Sequence, residues 1–286
     1  ASFSTSGDLD GDGDVDVICL EKSLHNIHFM ENNGSGTFSR KAVSAFANVT
    51  AGEPDHAVIT DMDQDGDQDV VVAFFGTSEI GWFENNASGT GDFAHMVVLA
   101  SRYPNVGGAD YLATGDLDGD SYPDLIVAYR SMDVVAWFSN QGDANPTFAW
   151  KGNVADGNNS LDAPRTLELV DLDNSGTLDV LIAANQNIYL ASNSGMDGIF
   201  TVSSLAGFTG AGLVVKARDF TSDGLIDVVY ASYQGAPNVL IQNTTGFNSP
   251  VSLPSHSEPA KAVAYPSDLA VLPASASTRV SLVVSD

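Results

Sequence analysis

Five short loops carry the residues of this chain best suited to chemistry. They read Asp8-Leu-Asp-Gly-Asp-Gly-Asp-Val-Asp16, Asp61-Met-Asp-Gln-Asp-Gly-Asp-Gln-Asp69, Asp116-Leu-Asp-Gly-Asp-Ser-Tyr-Pro-Asp124, Asp171-Leu-Asp-Asn-Ser-Gly-Thr-Leu-Asp179 and Asp219-Phe-Thr-Ser-Asp-Gly-Leu-Ile-Asp227. Each offers oxygen-bearing side chains at positions 1, 3, 5 and 9 and a main-chain carbonyl at position 7. Oxygen donors alternating around a sharp turn make a cage for a hard divalent cation. Two carboxylates 4 Å apart repel by about 1 kcal/mol in water and about 4 kcal/mol at an effective dielectric of 20, so acids converging in one hairpin need a counter-cation. The first three loops carry four side-chain carboxylates at these positions and the last two carry three. Affinity is therefore expected to be graded, with the first three sites the tighter.

An EF-hand requires a bidentate Glu at position 12 and a helix on either side. Position 12 is Cys19, Val72, Val127, Ile182 and Tyr230, each inside an apolar, strand-like run. The loops are thus cages between strands. Glycine at position 6 (Gly13, Gly66, Gly176, Gly224) permits the turn, and Ser121 stands there in the third loop.

The charge balance agrees. The 286 residues include 37 acids and 11 bases, a net charge of −26, and the loops hold 20 of the acids. Five bound Ca²⁺ would leave about −16, so the acidity is largely an inventory of ligands. No Lys/Arg cluster is present to neutralise phosphates, which argues against nucleic acid and anionic membranes as partners. With 43% hydrophobic residues the chain can build a large core, and no 18-residue apolar stretch marks a transmembrane helix.

The loops begin 53, 55, 55 and 48 residues apart, a period that dictates architecture. In each unit a short apolar strand enters the loop and a strongly apolar one leaves it, as in Val70-Val-Val-Ala-Phe-Phe75 and Leu125-Ile-Val-Ala128. A third strand follows with a large residue at one position: Phe29, Trp82, Trp137, Tyr189 and Leu240. An Asn/Gly turn and a fourth segment starting near Phe38, Phe93, Phe148, Phe200 and Phe247 close the unit. Four short strands between Gly, Asn and Asp turns are the pattern of a β-propeller blade, and the recurring aromatic is expected in the core. We read an all-β propeller of five full four-stranded repeats and a partial sixth, in one domain, with repeats at about 1–52, 53–107, 108–162, 163–210, 211–257 and 258–286. The sixth repeat has lost the acid spacing and keeps only Asp268. A half blade leaves a strand edge to be covered, so an irregular ring, a piece of a larger ring, or a partner segment over the open edge is expected.

The Asp-x-Asp-x-Asp-Gly-x-x-Asp loops make the whole chain resemble the FG-GAP/VCBS repeat family, which includes the propeller head of integrin α chains and several fungal lectins. Phe75-Gly76 and Gly235-Ala-Pro237 sit where the namesake tripeptides fall. The resemblance implies a propeller with Ca²⁺ between the first two strands of a blade, up to five structural ions here. The side-chain ligands it implies are Asp8, Asp10, Asp12 and Asp16; Asp61, Asp63, Asp65 and Asp69; Asp116, Asp118, Asp120 and Asp124; Asp171, Asp173, Ser175 and Asp179; and Asp219, Thr221, Asp223 and Asp227. The carbonyl ligands would come from Asp14, Asp67, Tyr122, Thr177 and Leu225.

Outside the loops chemistry is sparse. His25, His28, His56, His95 and His256 share no metal-ligand spacing, and Cys19 is expected as a buried, inert thiol. The residues leading into each first strand do vary: Asp55-His56, Asp110-Tyr111, Arg165 and Lys261. Variable polar residues on a repeated scaffold are how repeat folds build binding faces, here expected opposite the metal loops. The favoured reading is a Ca²⁺-binding, non-enzymatic binding or adhesion module, extracellular or at the cell surface, that contacts a protein or a glycan. Sequons at Asn33, Asn48, Asn86, Asn158 and Asn243 fit a secreted glycoprotein. The alternative is a Ca²⁺-dependent polysaccharide lyase, for which Tyr111, His56 and Arg165 are the candidate residues.

Overall fold

The computed structural model describes residues 3–46, 52–85, 93–94, 96–100, 108–143, 145–195, 198–232, 237–252, 268–272 and 281–285. The chain falls into two compact units, Ala1–Asn153 and Val154–Asp286.

The first unit is three antiparallel, four-stranded blades in simple up-and-down order. Blade one is β1 (Phe3–Gly7), β2 (Asp16–Glu21), β3 (Asn26–Asn32) and β4 (Phe38–Lys41). Blade two is β5 (Pro54–Thr60), β6 (Asp69–Phe74), β7 (Glu79–Phe83) and β8 (Val97–Ala100). Blade three is β9 (Ala109–Gly115), β10 (Asp124–Tyr129), β11 (Val134–Asn140) and β12 (Phe148–Ala155). Every position-12 residue lies in a strand, which disposes of the EF-hand geometry.

Period-two alternation explains the composition of the second strands. In β6, Val70, Val72 and Phe74 face the core shared with blade one, whereas Val71 and Ala73 face the core shared with blade three. A strand buried on both faces has no solvent side and so reads as an unbroken apolar run. Burying each such side chain contributes roughly 1.5–3 kcal/mol. The aromatic column packs as expected: Phe29, Trp82 and Trp137 are all buried. Blade one differs, because no other blade of this unit covers its second face. Ile18 and Leu20 enter the core while Cys19, on the opposite face of β2, is half-buried, so the fully buried thiol expected from sequence is not found.

The second unit keeps the repeat but runs two blades together. Strands β13 (Thr166–Val170), β14 (Asp179–Ala183) and β15 (Asn185–Asn193) precede β16, which runs unbroken over Phe200–Arg218. The first part of β16 pairs with β15 as the outer strand of the fourth blade. The remainder pairs with β17 (Asp227–Ser232) as the inner strand of the fifth. The repeat boundary expected at 210/211 thus lies inside a strand, since Leu205-Ala-Gly-Phe-Thr-Gly-Ala-Gly-Leu213 contains no proline or Asn/Asp turn signal to break it. The fifth blade continues with β18 (Asn238–Leu240), β19 (Gln242–Asn243), β20 (Gly246–Phe247) and β21 (Val251–Ser252). The sixth repeat contributes a hairpin of β22 (Asp268–Leu272) and β23 (Ser281–Ser285), so Asp268 starts a strand rather than standing in a loop.

Candidate functional site

Each acid loop joins the first two strands of its blade, and its first carboxylate organises the turn. In loop one Asp8 accepts from the backbone N–H groups of Gly11 (2.9 Å) and Gly13 (3.0 Å). Asp116 does the same for Gly119 (2.7 Å) and Ser121 (2.8 Å), and Asp219 for Ser222 (2.6 Å) and Gly224 (2.9 Å). Position 6 is left-handed throughout, with φ of 91°, 103°, 88° and 85° at Gly13, Gly66, Gly176 and Gly224, and 76° at Ser121. The position-5 acids Asp12, Asp65, Asp120 and Asp223 each accept from the N–H two residues on, at Asp14, Asp67, Tyr122 and Leu225. In loop four Ser175 Oγ and Thr177 Oγ1 lie 2.8 Å apart.

The position-9 acids are buried and tie three segments together. Asp16, Asp69, Asp124, Asp179 and Asp227 accept at one oxygen from the position-2 N–H (Leu9, Met62, Leu117, Leu172, Phe220), at 3.0–3.1 Å. The other oxygen accepts from the end of the third strand or from two residues past it, at Asn32, Asn85, Asn140, Asn193 or Gln242, at 2.8–2.9 Å. Trp137 Nε1 adds a third bond to Asp124 at 3.1 Å. Burial pushes the Asp69 and Asp124 carboxyls up to about 7, against the pull of those N–H donors.

Three loops bring acids together: Asp8, Asp10 and Asp16; Asp61, Asp63 and Asp69; Asp116, Asp118 and Asp124 each place oxygens within 4.8 Å of one another. Among the described residues loops four and five form no such triad, and in loop five Thr221 replaces the position-3 acid. Asp61 Oδ1 and Asp118 Oδ1 are buried without a hydrogen-bond donor. A buried carboxylate oxygen without a partner is costly, and an oxygen-only cage with one oxygen left over fits a hard divalent cation. Loop three differs from its neighbours. Asp118 Oδ2 accepts from Ser139 Oγ at 3.0 Å and lies 3.7 Å from Lys151 Nζ, whose ammonium also sits over the Trp137 ring. In loop two Glu84 takes the place of Ser139, and burial together with Asp63 and Asp65 raises its carboxyl.

A second group gathers where the first strands of the first unit begin. The first strands pack side by side, β1 on β5 and β5 on β9. The rings of Phe3, His56 and Tyr111 pack in a tilted row across them, with centroids 4.2 and 3.6 Å apart. Asp55 pairs with Lys22 of blade one at 3.0 Å. Asp110 pairs with Arg130 at 3.1 Å and also accepts from its backbone N–H. Phe75 lies between the two cations, 4.0 Å from Lys22 Nζ and 5.8 Å from the Arg130 guanidinium carbon. Four first-strand candidates, Asp55, His56, Asp110 and Tyr111, are thus brought together. Arg165 stands at the start of β13 in the second unit, its N–H bonded to the Ala183 carbonyl at 2.9 Å. Lys261, Gly235 and the sequons at Asn48 and Asn86 lie outside the described residues.

Sequence reading missed Lys22 and Arg130, and it named Phe75 without its place between them; the three share the fifteenth position counted from each loop start. It also missed the roles of Asn85 and Asn140, which fall in the Asn/Gly turns expected after the third strands. Asn85 Nδ2 donates to the Leu9 carbonyl at 2.8 Å and Asn140 Nδ2 to the Met62 carbonyl at 3.0 Å. Each bond fastens the loop of one blade to the next blade. The constant interval of 16 residues from the position-9 acid to Asn32, Asn85 and Asn140 was the available signal.

The FG-GAP-like repeat profile matches residues 8–72, 61–127 and 116–182. The chain belongs to the FG-GAP-like repeat family. No curated protein matches it by sequence. Among solved structures it is similar to a lectin of Agrocybe aegerita described for specific recognition of non-reducing terminal N-acetylglucosamine, with 20% identity and a TM-score of 0.65 over 87% of this chain and 65% of the lectin. It is similar to BBS1N, solved in complex with ARL6DN, at 12% identity and a TM-score of 0.56 over 90% of this chain and 70% of that one. A putative 6-phosphogluconolactonase from Bacteroides uniformis matches at 11% identity and a TM-score of 0.54, over 91% and 71%. At these identities the likeness is one of fold. This FG-GAP-like chain spans less than two thirds of the lectin's length.

Proposed function

We propose that this chain is a Ca²⁺-stabilised, non-enzymatic binding module that recognises a glycan outside the cell, its acid loops serving as scaffold. The observation that carries the reading is the state of His56. Its ring is packed between those of Phe3 and Tyr111, the residue is only 5% exposed, and the neighbouring acids are held by Lys22 and Arg130. A general base needs an approach to its substrate. These residues form a packed lattice instead, which suits a rigid platform for binding loops.

Ca²⁺ is the cation favoured by the donor set, since carboxylates and carbonyls suit a hard ion that takes several oxygen ligands. Asp8, Asp10 and Asp16 would hold it in the first loop, and their counterparts in the second and third. Millimolar Ca²⁺ outside cells suits loops of modest affinity, which supports an extracellular setting. The glycan reading draws support from the resemblance in fold to a lectin.

The test is a glycan array probed at millimolar Ca²⁺ and again after chelation, with each bound glycan incubated afterwards and assayed for ultraviolet-absorbing cleavage products. Ca²⁺-dependent retention without product is expected. Release of unsaturated product would establish the lyase instead.

A further inference from the structure

The first blade carries a groove of about 380 Å³ whose lining includes Asn26, Ile27, Arg40, Lys41, Val43, Ser44 and Phe46. It lies at the end of β4 and the start of β3, away from the acid loop of the same blade. Its chemistry runs against the rest of the molecule. In a chain of net charge −26, two of the 11 bases stand side by side here and no acid lines the groove. Arg40 is exposed and has no ion-pair partner among the described residues. Lys41 Nζ sits 5.5 Å over the Phe29 ring. The nearby Glu21 carboxylate accepts from His28 Nε2 at 2.7 Å and from the Asn26 side chain, and among the described residues it makes no ion pair with Arg40. Below the charges the floor is apolar: Ile27 and Phe46 are 4% exposed and Val43 packs on the same core.

We propose that this groove binds a sugar carrying one carboxylate, a hexuronate residue at the end of a glycan chain. The guanidinium presents a planar fork that matches a carboxylate, and the Lys41 ammonium adds a second charge. The apolar floor offers a face for ring C–H groups, and Asn26 and Ser44 offer hydrogen bonds to hydroxyls. The volume is that of a small-molecule site at the lower end of the usual range, enough for one or two sugar rings. The 37 acids elsewhere repel an extended polyanion, which selects a single terminal charge. This deepens the glycan reading above and rests on it.

The experiment is calorimetric titration of the full chain at millimolar Ca²⁺ with glucuronate, galacturonate and glucose, repeated on an Arg40→Gln/Lys41→Gln variant. Both side chains are outside the core, so the variant is expected to keep the parent's melting temperature. Uronate binding at least about tenfold tighter than glucose, and a loss of about tenfold or more in the variant, are expected for a charge-assisted contact. Equal binding of uronate and glucose, or an unchanged variant, overturns the site and leaves Arg40 and Lys41 as charges that guard an outer strand. Retention of neutral glycans on the array without uronate binding overturns this inference alone. Absence of any glycan binding overturns it together with the reading on which it rests.

Discussion

The side-chain amide of Asn140 donates to the main-chain carbonyl of Met62, a residue 78 positions earlier and in the acid loop of the preceding blade, at 3.0 Å. The same amide reaches the Pro123 carbonyl of its own loop at 3.3 Å, so one side chain spans two acid loops. Asn85 repeats the arrangement between loop one and blade two, and Gln242 reaches the Leu172 carbonyl at 3.2 Å in the second unit. The acid loops are therefore structural joints between blades as well as candidate cation cages.

Asn140→Ala removes the donor and leaves the buried Met62 carbonyl unpaired. A loss of about 1–3 kcal/mol in unfolding free energy is expected, the range for a buried polar group left without its partner. Denaturant titration at saturating Ca²⁺ measures it. A change below a few tenths of a kcal/mol would show that water replaces the amide at no cost.

Ser121 is the one position-6 residue with a Cβ, held at φ 76°. Left-handed backbone costs a non-glycine residue roughly 1–2 kcal/mol, which glycine does not incur. Ser121→Gly is expected to raise stability by about 1 kcal/mol, part of the gain being offset by the greater freedom of glycine in the unfolded chain. The midpoint of urea unfolding reads the effect, and a lower midpoint would mean that Ser121 makes a compensating contact.

How much was legible in the sequence follows from what repeats. The acid loops, the buried second strands and the aromatic column recur at one position per blade, so Asp69, Val71 and Trp82 announce both their roles and their surroundings. The fusion of two blades through β16 was hidden because a missing turn signal is weaker than a present one. The Asn85 and Asn140 bonds were hidden because Asn is also an ordinary turn former, and only its fixed distance from the buried acid distinguishes the two uses. The pairing of Lys22 with Asp55 joins different blades and depends on how they pack, which no local pattern encodes.

Asp110 gives a pH dependence with a definite sign. Burial pushes its carboxyl up to about 6, although Arg130 and Lys22 pull it down, and Asp55 adds to the rise. The folded pKa lies above the unfolded value near 3.9, so the folded state binds the proton more tightly. Stability from this group is therefore fullest below about pH 4 and falls as pH rises to about 6, by on the order of 2–3 kcal/mol. At saturating Ca²⁺, the difference in stability between the parent and Asp110→Asn should change across that window and level off above it. A difference independent of pH would mean that Arg130 keeps Asp110 ionised throughout.

The loops should also differ in affinity in a way that counting carboxylates does not capture. Loops one to three have acid triads and are expected to bind Ca²⁺ more tightly than loops four and five. Within the first three, Lys151 stands 3.7 Å from Asp118 and competes with the ion for that carboxylate, so the third site is expected to be the weakest of them. Lys151→Met removes the competitor and should tighten the third site by about two- to fivefold, the size expected of a part-exposed ion pair. Terbium can stand in for Ca²⁺ because its emission is sensitised by a nearby tryptophan. Trp137 bonds to Asp124 of loop three, and Trp82 holds the equivalent register in blade two, opposite Val71 as Trp137 is opposite Ile126. With Trp150 replaced by Phe throughout and excitation chosen to select tryptophan over Tyr122, Trp82→Phe leaves emission from loop three and Trp137→Phe leaves emission from loop two, so each site can be titrated alone. Lys151→Met should shift the first titration and not the second. Equal shifts in both, or none, would show that the Lys151 ammonium does not govern the third cage.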